Sequence, residues 1–102
     1  MMLDHGQWHG LQVVPAAWAA TSLAAHIATG DGARYGCQWW VGNVQWRGKP
    51  IAWGAAIGNG GQRLYLLPEL DMAVVITAGE YNSPDIGQNP GRLMARIATA
   101  VQ

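Results

Sequence analysis

The stretch "QRLYLLPELDMAVVITA", residues 62–78, holds two apolar runs with Pro68-Glu69-Leu70-Asp71 between them. Four residues of turn chemistry are too short for a crossover, so runs 62–67 and 72–78 are expected to pair as an antiparallel hairpin. The second run does not alternate, being apolar on both faces. Such a strand wants cover on each face and a neighbour on each side. The rest of the chain has to supply that cover.

After the hairpin, residues 81–89 read as loop, with Pro84 and Gly87. Pro90 then opens a helix to about Val101, with Leu93, Ile97 and Val101 spaced on one face and Arg92 and Arg96 on another. Ahead of it, 51–57 and 35–41 read as strands. Gly42-Asn43 is expected to turn the chain, and Arg47-Gly48-Lys49-Pro50 to mark a second surface loop. Pro15 suits the first position of an alanine-rich helix reaching about Ile27, with the Thr29-Gly30-Asp31-Gly32 turn beyond it. Residues 7–14 read as a short connection. Met1, Met2 and Leu3 have the pattern of a last helical turn ending at Gly6, as if a helix began upstream. The fold class expected is α+β: a single partial domain over 1–102, an antiparallel sheet of three to four strands flanked by N- and C-terminal helices.

Half of the 102 residues are apolar and only 12% are charged, so much of this chain expects to be covered. Six basic and six acidic residues are scattered singly, and with no basic stripe nucleic acid is excluded as a partner. No apolar stretch reaches the length of a membrane span, and the N-terminus shows no basic-then-apolar signal pattern; a soluble protein, cytoplasmic or periplasmic, is expected. Cys37 is the only cysteine, read as a small buried hydrophobe rather than a reactive thiol. His5 and His9 lie four apart with Asp4 and His26 elsewhere, but Gly6 and Gly10 break the helix a zinc pair would need. No metal and no cofactor are expected. The six tryptophans are assigned to core packing, since adjacent Trp39 and Trp40 point to opposite faces of a strand.

The bend Gly58-Asn59-Gly60-Gly61 sits against the most apolar part of the chain, where loose residues carry an entropic cost. Either the backbone turns there with positive φ, or something approaches the main chain closely. On spacing alone a plain hairpin bend is the simpler reading. Taken together, "GQWHGLQVVPAAW", "YGCQWWVG", "GNGGQRLYLLPELDMAVVITAGEYN" and the helix from Pro90 resemble the C-terminal part of the serine β-lactamase-like superfamily. The branch is that of class C β-lactamases, carboxylesterases and 6-aminohexanoate-dimer hydrolases.

That resemblance implies a β-lactamase/transpeptidase-like fold and an active site of three motifs, of which only the third is present here. Ala56-Ile57-Gly58 matches the Lys-Thr-Gly strand, and Asn59 follows as backbone donor to the oxyanion. Ala56, Ile57, Gly58, Gly60, Gly61 and Gln62 are the implied substrate-binding residues, with Trp53-Gly54-Ala55 as a second candidate for the motif. Tyr81 and Asn82 either line the same cleft or cap a turn, and Arg63 is expected to be a solvated strand residue. Ala56 stands where the lactamases have lysine, which points to esters or amides without a carboxylate.

The nucleophile is missing. Ser22-Leu23-Ala24-Ala25 and Ser83-Pro84-Asp85-Ile86 both lack the lysine of Ser-x-x-Lys, and Tyr81-Asn82-Ser83 is not Tyr-x-Asn. The expected function is therefore that of a C-terminal fragment of a serine hydrolase, inactive alone, with a small ester or amide as substrate of the complete enzyme. The alternative is a non-catalytic, self-associating module. Either way, the 72–78 strand edge is expected to pair with a second copy, Val74 and Ile76 at the contact.

Overall fold

The computed structural model describes residues 1–30, 32–86 and 88–102. Asp31 and Gly87, read above as turn and loop, lie outside the described residues. Among the described residues the chain forms a six-stranded antiparallel sheet, a separate two-stranded hairpin and two α-helices. The large sheet is a meander in chain order: β3 (Ile27–Ala28), β4 (Arg34–Tyr35), β5 (Trp40–Trp46), β6 (Lys49–Ile57), β7 (Arg63–Leu67) and β8 (Met72–Ile76). The 62–78 stretch does form a hairpin, closed by a 3-10 turn over Pro68–Leu70 with Asp71 in the left-handed region at φ 46°.

One face of the sheet carries the core. Val44, Ile51, Ala55, Tyr65 and Leu67 project from it, and helix α2 (Gln88–Ala100) lays Met94 and Ala98 on them. Ile51 and Leu67 are fully buried, each contributing about 2 kcal/mol of apolar transfer. Trp53 packs edge-on to Tyr65, ring centroids 5.5 Å apart. Trp46 reaches from the end of β5 to donate its indole N–H to the Val101 carbonyl at 3.2 Å. On the opposite face helix α1 (Ala16–Leu23) covers Gly54 with Leu23, while Ala52, Ala56, Ala73 and Val75 stay exposed.

Several sequence expectations give way. The sheet has six strands, not three or four, because the two-residue strands β3 and β4 extend it beyond β5. Gly42-Asn43 does not turn the chain: β5 runs straight through it, and Gly42 is opposite Trp53 in register. The turn is the tight pair Arg47-Gly48, φ 48° and 78°, which joins β5 directly to β6. Helix α1 stops at Leu23 rather than Ile27. Ala24 is extended, and the His26 N–H joins the sheet at the Tyr35 carbonyl, so pairing takes β-branched Ile27.

Residues 7–14 are not a plain connection, since β1 (Gln7–Trp8) and β2 (Leu11–Gln12) pair around His9-Gly10. The opening residues form a turn instead of a helix end, with the Gly6 N–H on the Met1 carbonyl.

On α2 the buried face is Pro90, Met94 and Ala98, one position round from the expected stripe, and Leu93 is exposed. Cys37 is exposed in the turn between β4 and β5, not buried. None of the tryptophans is fully buried. Trp46 and Trp53 pack partly against the core, and Trp8 and Trp18 lie more than half exposed. Strand β8 alternates, with Met72, Val74 and Ile76 turned to the core and Val75 left 69% exposed.

Candidate functional site

The bend that follows β6 is a three-residue hairpin loop. Gly58 donates its N–H to the Gln62 carbonyl at 2.9 Å, Gly61 donates to the Gly58 carbonyl at 3.2 Å, and Gly61 holds φ 88°. This is a turn followed by a left-handed residue, a geometry that asks for glycine at Gly61. The space beside the other glycines is also occupied. A Cβ on Gly60 would lie 2.9 Å from the Tyr81 ring, and one on Gly61 would lie 2.6 Å from Ile86. Gly60 and Gly61 are buried under the chain's own side chains.

Gln62 stitches the bend to the segment after β8. Its Nε2 donates to the Ala78 carbonyl at 2.7 Å and to the Tyr81 hydroxyl at 3.2 Å, and its Oε1 accepts the Gly60 N–H at 3.0 Å. Asn59 Nδ2 donates to Asn82 Oδ1 at 3.2 Å. Tyr81 and Asn82 are therefore brought to the bend.

Arg63 is not solvated. It is 7% exposed, and Nη1 donates to both the Gly58 and the Gln62 carbonyls at 2.9 Å. Inward-facing carbonyls at a tight bend need donors, and this arginine supplies one to each side. Strand alternation with Tyr65 and Leu67 puts Arg63 on the core face, but apolar Leu64 and Leu66 between them hide that alternation in the sequence.

Three of the four bend amides are satisfied internally. Among the described residues no acceptor meets the Asn59 N–H, which lies on the exposed tip. Strand β6 also overruns its neighbour: pairing with β5 ends at Trp40–Ala55, whereas pairing with β7 continues to Ile57–Arg63. Ala56 and Ile57 thus stand clear of β5 beside an open groove of about 400 Å³, which Gly58, Gln62 and Thr77 also line. Trp53-Gly54-Ala55 lies mid-strand, with Ala55 fully buried and Gly54 under Leu23.

Among the described residues neither serine meets a base. The Ser22 hydroxyl is buried and donates to the Ala19 carbonyl at 3.0 Å. Lys49, the chain's single lysine, pairs with Glu69 at 3.3 Å. His5 and His9 occupy turns at φ 51° and 48°, and no group of three metal-ligating side chains forms among the described residues. Among the described residues no helix is long and apolar enough to cross a membrane. The chain matches no protein-family model, no curated protein and no solved structure.

Proposed function

We propose that residues 56–62 form the oxyanion-side wall of a serine hydrolase active site of the β-lactamase-related kind, with the nucleophile motif outside this chain. The observation that carries this reading is the Asn59 N–H, left without an internal acceptor at the end of a strand that overruns its neighbour. A main-chain donor can stabilise a tetrahedral oxyanion when the acyl group comes within about 3 Å of it. Ala56, Ile57, Gly58 and Gln62 would flank that acyl group, while Gly60 and Gly61 shape the loop. Strands β6, β7 and β8 followed by α2 also have the order that a β-lactamase/transpeptidase-like fold calls for. With Ala56 in place of a lysine, the substrate class is an uncharged ester or amide, cleaved through an acyl-enzyme.

The isolated chain should turn over neither nitrocefin nor a chromogenic ester above solvent background, because a serine hydroxyl without a positioned base is a poor nucleophile. Turnover abolished by Ser22→Ala or Ser83→Ala would overturn the reading. In the complete open frame, a fluorophosphonate probe should label a serine of a Ser-x-x-Lys motif upstream of these residues.

A second reading, a self-associating module without catalysis, rests on β8. That edge strand, Met72-Ala73-Val74-Val75-Ile76, has no charged residue and among the described residues pairs only with β7. Uncharged edges invite pairing with another chain.

A further inference from the structure

We propose that Arg63 is the positioning residue for the Asn59 amide, setting both its direction and its strength as a donor. Only the use made of that amide rests on the hydrolase reading above. One peptide group carries the Gly58 carbonyl and the Asn59 N–H, and a planar trans peptide points the two in opposite directions. Whatever pins the carbonyl therefore aims the N–H. The Gly58 carbonyl is pinned twice, by Arg63 Nη1 at 2.9 Å and by the Gly61 N–H at 3.2 Å. The same Nη1 holds the Gln62 carbonyl, so one guanidinium fixes both feet of the loop and leaves the Asn59 N–H directed away from it.

The charge matters beyond the geometry. Arg63 is 7% exposed, and the ion pairs among the described residues are Met1 with Asp4 and Lys49 with Glu69, so no carboxylate neutralises it. Burying an uncompensated guanidinium is costly, and a turn alone does not require it. Among the described residues the Arg47-Gly48 turn between β5 and β6 has no such anchor, its arginine lying out over the Trp46 ring. A charge-assisted hydrogen bond on a carbonyl polarises the whole peptide group and makes its N–H a stronger donor. A donor held rigid and polarised before the reaction is what a transient oxyanion needs.

The test measures base-catalysed exchange of the Asn59 amide with water, by NMR on the 15N-labelled 102-residue protein between pH 7 and 8.5. A nearby positive charge acidifies an exposed amide. Asn59 should exchange about tenfold faster than the same residue in an unstructured peptide of residues 56–62. Arg63→Gln should bring the rate down to the peptide value, and Arg63→Lys should keep most of the acceleration. An arginine that only braced the loop would, on removal, leave the rate unchanged or raise it through local opening. That result, or a wild-type rate at or below the peptide's, overturns the proposal. Should Arg63→Gln lose amide dispersion and fail to fold, the wild-type comparison still decides. No turnover enters the measurement, so failure here leaves the hydrolase reading standing. Conversely, an unlabelled complete protein would leave the coupling of Arg63 to Asn59 intact.

Discussion

The Trp53 indole occupies the space beside its cross-strand partner Gly42, where a Cβ would lie 2.4 Å from Trp53 Cζ2. The indole is held in place by its edge-on contact with Tyr65, so it has little freedom to move aside. Gly42→Ala should lower the unfolding free energy by about 2 kcal/mol. The urea midpoint should drop without a change in slope, and the near-UV tryptophan signal should weaken. An unchanged midpoint would show that the ring swings clear at little cost.

Gln62 makes three hydrogen bonds from one side-chain amide, which makes it the clasp between the bend and residues 78–81. Gln62→Ala should cost about 1–2 kcal/mol. Its specific signature is faster exchange of the Gly60 amide and earlier proteolysis after Ala78, with the core amides of β6 and β7 still protected. Uniform loss of protection would mean instead that the clasp supports the whole sheet.

Burial pushes the Tyr65 phenol up from its ordinary value, and the neighbouring Arg63 pulls it back without cancelling the rise. The folded state thus keeps a proton that the unfolded state releases near pH ~10. Stability contributed by the neutral phenol is fully present below that pH and declines as pH rises through the higher folded-state value. Denaturant midpoints should therefore hold steady at pH 8–9 and fall above ~10, and Tyr65→Phe should flatten that fall. Equal alkaline loss in both proteins would assign the effect to other groups.

Strand β8 keeps Val74 and Ile76 against the core and turns Val75 outward. A lysine at Val74 would damage packing whether or not chains pair, so the informative change is Val75→Lys. Light scattering after size exclusion should give a dimer or larger species for the wild type and a monomer for Val75→Lys. A wild-type monomer at micromolar concentration would remove the edge-pairing argument.

The 62–78 hairpin and α2 were legible because turn chemistry and apolar content agree there. Gly42 misled because glycine usually marks a turn, whereas here it makes room for a tryptophan on the adjacent strand, a partnership that only register reveals. Two-residue pieces such as β3 and β4 carry too little pattern to be seen, and they exist because sheet pairing holds them. At the bend, the sequence drew attention to Asn59 and Gln62 but read Arg63 as solvated. Its burial depends on two carbonyls aimed inward, which nothing in the local composition announces.

The hydrogen bond from the Trp46 indole to the Val101 carbonyl spans 55 positions in sequence. Every strand pairing in the meander joins a strand to the one just made, so those contacts close over short loops and form early. The bond at Trp46 has to wait. While the polypeptide is being synthesised, the sheet can zip up strand by strand, yet its core face stays bare until α2 has left the ribosome. For that interval the nascent chain exposes Val44, Ile51 and Leu67, and it is then that a chaperone, or another nascent copy, has its opening.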